Sequence, residues 1–186
     1  MQSRAGRQAA GREGNGDEGR AAGTAVFYLV AFGILALDQV TKLIIVRSLS
    51  LGQAIPVVSG LFNIVYVLNP GAAFGFLASL PAGFRNPFFI FISVGAAVLI
   101  VAYHTRHLRA LILPSLALGL ILGGAIGNLI DRLRYGMVVD FLDFFLRGYH
   151  WPAFNVADSA ISVGVGLMLL DMLMEWWRER GRGRPR

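Results

Sequence analysis

The sequence predicts a mainly α-helical membrane protein, a bundle of four transmembrane helices carrying a small extracytoplasmic β-sheet. Three observations predict it. Of 186 residues, 55% are hydrophobic and only 15% charged, with a mean hydropathy of +0.60. A small soluble domain needs more charge than this for its surface alone. The apolar residues gather in four stretches long enough, at roughly 1.5 Å rise per residue, to cross a hydrocarbon layer about 30 Å thick. The basic residues behind the net charge of +6 collect at the chain ends and in one short loop between apolar stretches. That is the distribution of a membrane protein, not of a nucleic-acid-binding one. Lys42 is the one lysine among 17 Lys+Arg, and the arginine excess reads as compositional bias rather than phosphate recognition. With no cysteine there is no disulfide framework, thiol nucleophile or Cys-based zinc site, and the chain is not itself a lipidated protein.

Residues 1 to 23, rich in Gly, Ala and Arg with Glu13, Asp17 and Glu18 interspersed, lack apolar periodicity and are expected to form a disordered tail. Residues 24 to 177 form one membrane-embedded domain, and residues 178 to 186 a basic tail. The first helix, about 25 to 46, is longer than a secretory h-region, carries Asp38 and Lys42, and ends without a small-x-small site. It therefore reads as an uncleaved anchor. The second helix is expected over 87 to 103, with Pro87 at its first position, the third over 111 to 130, and the fourth over 154 to 177 behind Pro152. Arg4, Arg7, Arg12 and Arg20 precede the first span, Arg106 and Arg109 separate the second from the third, and Arg178 to Arg186 follow the fourth. By the positive-inside rule both termini and the loop from His104 to Arg109 are cytoplasmic. Residues 47 to 86 and 131 to 153 then lie outside.

Within the first outer segment a β-rich stretch of about 50 to 80 holds two β-branched and aromatic runs separated by Ser59-Gly60, the pattern of a hairpin. It is expected to rest on the membrane or to roof a cavity between the helices. The second outer segment, Met137 to Phe154, is too charged to span and too apolar to float free, so an interfacial position is expected.

A carboxylate at the centre of a span costs on the order of 2.5 to 3.5 kcal/mol even on the mildest scale. Six aspartates near the apolar segments therefore need reasons: Asp38, Asp131, Asp140, Asp143, Asp158 and Asp171. Asp171, close to Glu175 and Arg178, reads as an end-of-helix charge. Asp38 and Lys42 have the spacing and order of an intrahelical ion pair, structural rather than chemical. Asn128 to Asp131 and Asn155 to Asp158 repeat Asn-x-x-Asp, each placing an amide and a carboxylate one turn apart on one helical face. Both lie at the outer membrane edge in this topology, so they point to one shared site. Asp131 is followed by Arg132 and Arg134, and a carboxylate held by arginine stays ionised as a brace. Asp140, between Val139 and Phe141, has an apolar setting that favours its neutral form and suits it to proton transfer. If Asp140 folds back toward Asp158, the two can share a proton and hold a water between them. A rival pairing joins Asp131 with Asp158. The histidines His104, His107 and His150 form no HExxH, and there is no GxSxG elbow or Walker A sequence.

The chain resembles lipoprotein signal peptidase, also called signal peptidase II, over roughly residues 26 to 176. The resemblance rests on five blocks in family order: Leu37 to Lys42, Asn69-Pro70-Gly71-Ala72-Ala73-Phe74, Gly123 to Arg132, Val139-Asp140-Phe141 and Phe154 to Ser159. It implies an aspartyl endopeptidase of the bacterial inner membrane that removes the signal peptide from diacylglyceryl-modified prolipoproteins just before the lipidated cysteine. It places the catalytic pair on Asp140 and Asp158, with Asn69, Gly71, Asn128, Asp131, Arg132 and Asn155 around the site and Asp38 and Lys42 in support. Membrane lipids and the cyclic peptide globomycin are expected partners, and no cofactor, metal or nucleic acid is expected. Leu68 stands where many members carry arginine, so a guanidinium contact at that position is missing here. The rival from another class is a small transporter or channel subunit using Asp38, Lys42, Asp131 and Asp158 as an ion path. It requires polar residues through the whole membrane depth, whereas these concentrate toward one face.

Overall fold

The computed structural model describes residues 4–71, 77, 80–108 and 111–182, with side chains described from residue 18 to residue 180. Ala72 to Phe74 of the second family block, Arg109, and Arg184 and Arg186 of the basic tail lie outside these residues. The helices are α1 (Arg4–Ser48), α2 (Ala82–Tyr103), α3 (Ile112–Tyr135) and α4 (Val156–Arg182). The strands are β1 (Ala54–Val58), β2 (Phe62–Asn69), β3 (Val138–Leu146) and β4 (Tyr149–His150). Four helical stretches, Glu18–Ser48, Ala82–Leu108, Ile112–Tyr135 and Val156–Arg180, are long and apolar enough to cross a membrane.

α3 is the central post, packing against α1, α2 and α4. Its glycines make that possible, because backbone carbonyls of both neighbours occupy the space a side chain would need. A Cβ added to Gly123 would stand 2.5 Å from the Ala31 carbonyl oxygen of α1, and one added to Gly124 would stand 2.5 Å from the Ala157 carbonyl oxygen of α4. The helix stops at Gly136, whose left-handed φ of 69° closes the last turn through an N–H bond to the Arg132 carbonyl.

The four strands form one antiparallel sheet in the order β1-β2-β3-β4. β1 and β2 are joined at the expected turn, with Gly60 at φ +77°. β2 pairs with β3 so that Asn69 faces Val138 and Val67 faces Asp140. β3 turns into β4 through Arg147 and Gly148, both at positive φ, the requirement of a tight two-residue hairpin. Val139 and Phe141 of β3 pack with Ile45 and Leu49 at the end of α1, which seats the sheet on one end of the bundle.

Several elements differ from expectation. Within Met137 to Phe154 lies a strand that the sequence did not reveal: β3 buries Val138, Val139 and Phe141 and joins the sheet begun by β1 and β2. α2 starts at Ala82 behind Pro81, leaving Pro87 inside the helix. Pro87 there forgoes one helical hydrogen bond near the start of a long helix, where the loss is local. The expected loop at His104 is a π-helical turn, His104–Leu108, that continues α2. His104 is fully buried, hydrogen-bonded to Ser115 Oγ at 3.0 Å and stacked on Phe27 at 4.0 Å. α1 begins at Arg4, so regular helix runs through the stretch expected to be disordered. α3 and α4 extend beyond their expected ends, to Tyr135 and Arg182.

The glycine contact is testable. Gly124→Val should lower stability by about 1 to 3 kcal/mol, since the obstructing atoms are backbone and cannot swing away. A thermal unfolding midpoint in detergent equal to that of the parent would contradict the close crossing of α3 and α4.

Candidate active site

At the sheet end of the bundle the polar residues of α1, α3, β2, β3 and α4 meet. Lys42, only 3% exposed, lies between three acceptors: Asp38 Oδ2 at 2.9 Å, Asp131 Oδ2 at 2.8 Å and Asn128 Oδ1 at 2.9 Å. An ammonium has three protons to donate, and each finds an acceptor. The Asp38–Lys42 pair is the i,i+4 pair expected from sequence, but Asp131 is held by Lys42 rather than by arginine. Adjacent residues on a helix diverge, so Arg132 cannot turn back onto the Asp131 carboxylate. Asp131 is ion-paired with Lys42, whereas Asp158 is in no ion pair among the described residues.

Those engagements reach the backbone. Asp38 Oδ1 accepts the Ala157 N–H at 3.0 Å, and Asp131 Oδ2 accepts the Val139 N–H at 3.1 Å. Each bond fixes the residue just before another aspartate, Asp158 in one case and Asp140 in the other. Gln39 closes the network, its amide N–H groups 3.2 Å from Asp38 Oδ2, Asp131 Oδ1 and the Gly127 carbonyl, while its own oxygen accepts from Arg134 at 3.3 Å. A Cβ on Gly127 would stand 2.5 Å from Asp38 Oδ2, so glycine leaves the room this carboxylate occupies.

Asp158 sits in the first turn of α4 and forms a capping box with Asn155. Asn155 Oδ1 accepts the Asp158 N–H at 2.9 Å, and Asp158 Oδ2 accepts the Asn155 N–H at 3.3 Å. Asp158 Oδ1 accepts from Asn128 Nδ2 at 2.8 Å. Asp140, 1% exposed, accepts from Asn155 Nδ2 at 2.7 Å on one oxygen and from Asn69 Nδ2 at 2.9 Å on the other. The Asn69 amide is oriented by the Gly71 N–H, which donates to its Oδ1 at 3.0 Å. Asn155 therefore touches both aspartates, and the two Asn-x-x-Asp faces form one site.

Burial, and then the charge of Asp158, push the Asp140 carboxyl up to about 7, against the opposing hydrogen bonds from Asn69 and Asn155 and the pull of Lys42. Arg132 donates to the carbonyls of Asn128 and Gly71, each at 3.4 Å, and lies 5.0 Å over the Phe89 ring. A cavity of about 500 Å³ opens beside these groups. Asn69, Asn128, Arg132 and Asp158 form its polar head, and Trp151, Phe154, Ile161 and Val163 an apolar flank. An apolar ligand with one amide at its end matches that division. Every site residue expected from sequence is in this cluster. Gln39 and the two backbone N–H bonds were missed: the Gln39–Asp131 and Asp38–Ala157 partners stand 92 and 119 residues apart, and the Asp131–Val139 bond, 8 residues apart, crosses the turn between α3 and β3.

Lys42→Met leaves two buried carboxylates without their cation and should cost about 3 to 5 kcal/mol in stability. Lys42→Arg should not restore it, because a planar guanidinium does not fit where a compact ammonium meets three acceptors within 2.9 Å. A denaturation midpoint unchanged in Lys42→Met would contradict the brace.

The profile of the family described as signal peptidase (SPase) II matches residues 30–174. The lipoprotein signal peptidase of Geobacter sulfurreducens is 54% identical over 151 residues, covering 81% of this chain and 92% of that protein. That of Syntrophotalea carbinolica is 53% identical over 155 residues, covering 83% and 92%. A solved bacterial membrane enzyme superposes with a TM-score of 0.73 at 31% identity, covering 86% of this chain and 92% of its own. With the matched segment reaching from within α1 to within α4, and so containing every residue of the site, the chain belongs to the signal peptidase II family.

Proposed function

We propose that the protein is an aspartyl endopeptidase of the bacterial inner membrane. It cleaves the signal peptide from diacylglyceryl-modified prolipoproteins just before the lipidated cysteine. The observation that carries this reading is the convergence of Asp140 and Asp158 on Asn155, with neither carboxylate in a salt bridge among the described residues. The aspartates that brace the site are paired with a cation, whereas these two are surrounded by amides. Two buried carboxyls that meet at one asparagine and are not ion-paired favour sharing a proton, the state an acid–base pair requires.

In the proposed reaction the ionised member of the pair takes a proton from a water as its oxygen attacks the scissile carbonyl carbon. The protonated member donates to the carbonyl oxygen, giving a tetrahedral intermediate with no covalent enzyme adduct. Collapse breaks the C–N bond as the amine receives a proton from the pair. The elevated pKa of Asp140 supports its carrying the shared proton at neutral pH. Arg132 supports the substrate end of the cavity, and Gly71 contributes a backbone carbonyl that holds the guanidinium. The substrate's acyl chains would lie in lipid beside the apolar flank, and globomycin is an expected inhibitor. With both termini cytoplasmic by the arginine distribution, the sheet end and the site face outward. An ion-conducting role is disfavoured by the clustering of the buried carboxylates at one end, since Asp38, Asp131, Asp140 and Asp143 all lie there.

Asp140→Asn and Asp158→Asn should each reduce turnover of a diacylglyceryl-prolipoprotein by at least about 10²-fold while leaving the unfolding midpoint close to that of the parent. Substantial turnover in either variant would contradict the pair. The pH dependence follows from the sign of the shift: Asp140 is neutral below about 7 and ionises above it, so kcat/KM should fall as pH rises through that value. A profile flat from about pH 5 to about pH 9 would count against shared-proton chemistry.

A further inference from the structure

Asp143 is buried on β3, yet it lines no part of the cavity. Its Oδ1 accepts from His150 Nδ1 at 2.8 Å and its Oδ2 from Asn63 Nδ2 of β2 at 2.9 Å. The His150 ring also stacks on Phe145, centroids 4.8 Å apart and planes inclined by 12°. His150 is the last residue of β4, and the next four, Trp151 to Phe154, form one wall of the cavity that holds Asp158.

That wall is pinned at its two ends. At the near end the Trp151 N–H donates to the Phe144 carbonyl at 2.8 Å. At the far end Phe154 and Leu142 exchange hydrogen bonds of 3.1 and 2.8 Å. Between them Pro152 has no N–H to give to β3. The near end belongs to a two-residue strand whose turn is exposed and whose Tyr149 is 85% exposed, which gives it little packing of its own. The bond between His150 and a buried carboxylate adds a side-chain tie there to the backbone pairing.

We infer that Asp143 is a positioning residue: through its hydrogen bond to His150 it sets the placement of the Trp151–Phe154 wall and so the fit of substrate in the cavity. The inference rests on the peptidase reading for its kinetic consequence, but not for its structural one. Asp143 touches neither Asp140 nor Asp158 by hydrogen bond, so binding should change and chemistry should not.

The test compares Asp143→Ala, His150→Ala and the double variant in the full chain. His150 is half exposed, so its truncation is expected to leave the fold intact. Each single variant should raise KM about two- to tenfold, the worth of one such bond, with kcat within about twofold of the parent. The double variant should be no worse than the poorer single one. His150→Asn, whose amide N–H can stand in for Nδ1–H, should return KM toward the parent value. A second readout needs no substrate: in a Trp176→Phe, Trp177→Phe background Trp151 is the sole tryptophan. Its emission should shift to the red in Asp143→Ala and in His150→Ala alike, and His150→Asn should keep it near the parent value. Unchanged KM with unchanged Trp151 emission would overturn the inference, as would a fall in kcat at constant KM. A parent that cleaves no prolipoprotein would defeat the peptidase reading, and the Trp151 emission would still decide the role of Asp143.

Discussion

One buried ammonium holds this site together. Lys42 binds Asp38, Asp131 and Asn128 at once, and through the two carboxylates it reaches the Ala157 and Val139 N–H groups. α1 thereby grips the start of α4 and the start of β3, whose next residues are Asp158 and Asp140. The third contact orients Asn128, whose amide then donates to Asp158. Desolvating three charges is expensive, and replacing such a cluster with apolar residues would often be neutral for stability. What an apolar core could not do is set the spacing of two strands of polar chemistry to within a hydrogen bond. In a chain with sixteen arginines for one lysine, the lysine occupies the position where a compact three-donor cation is needed.

The aspartates illustrate how one side chain takes several roles from its neighbours. Asp38 and Asp131 face a cation and serve as acceptors for backbone N–H groups. Asp143 faces an imidazole and an amide and ties the return strand to the sheet. Asp140 and Asp158 accept their side-chain hydrogen bonds from amides, those of Asn69, Asn155 and Asn128. Amides satisfy a buried carboxyl without fixing its charge, whereas a cation would hold it ionised. Arg132, the nearest guanidinium, is turned to the carbonyls of Asn128 and Gly71, which leaves the proposed pair free to exchange a proton.

Hydropathy made the four spans legible, because crossing a membrane leaves a signal about twenty residues long that no local preference overrides. The two Asn-x-x-Asp repeats marked the shared site because helical period fixes which side chains stand together. The partner of Asp131 was not legible: proximity in sequence favoured Arg132, while geometry selected Lys42, 89 residues earlier. β3 was missed for a related reason. Val138 to Leu146 alternates poorly, since Val138, Val139, Asp140 and Phe141 are all buried. The strand is enclosed by α1 on one side and by the site on the other, so the period-two signature of a half-exposed strand is lost. Its bounds, Gly136 and the Arg147-Gly148 turn, carried the readable signal.

The shared proton is most directly tested by following the Asp140 carboxyl carbon by ¹³C NMR as a function of pH. Asp140 should hold its proton to near neutrality and titrate at about 7, and in Asp158→Asn its midpoint should move down, because the Asp158 charge is one of the two causes raising it. Titration in the ordinary carboxylate range, about 4, or a midpoint indifferent to the loss of the Asp158 charge, would show that the two groups act separately.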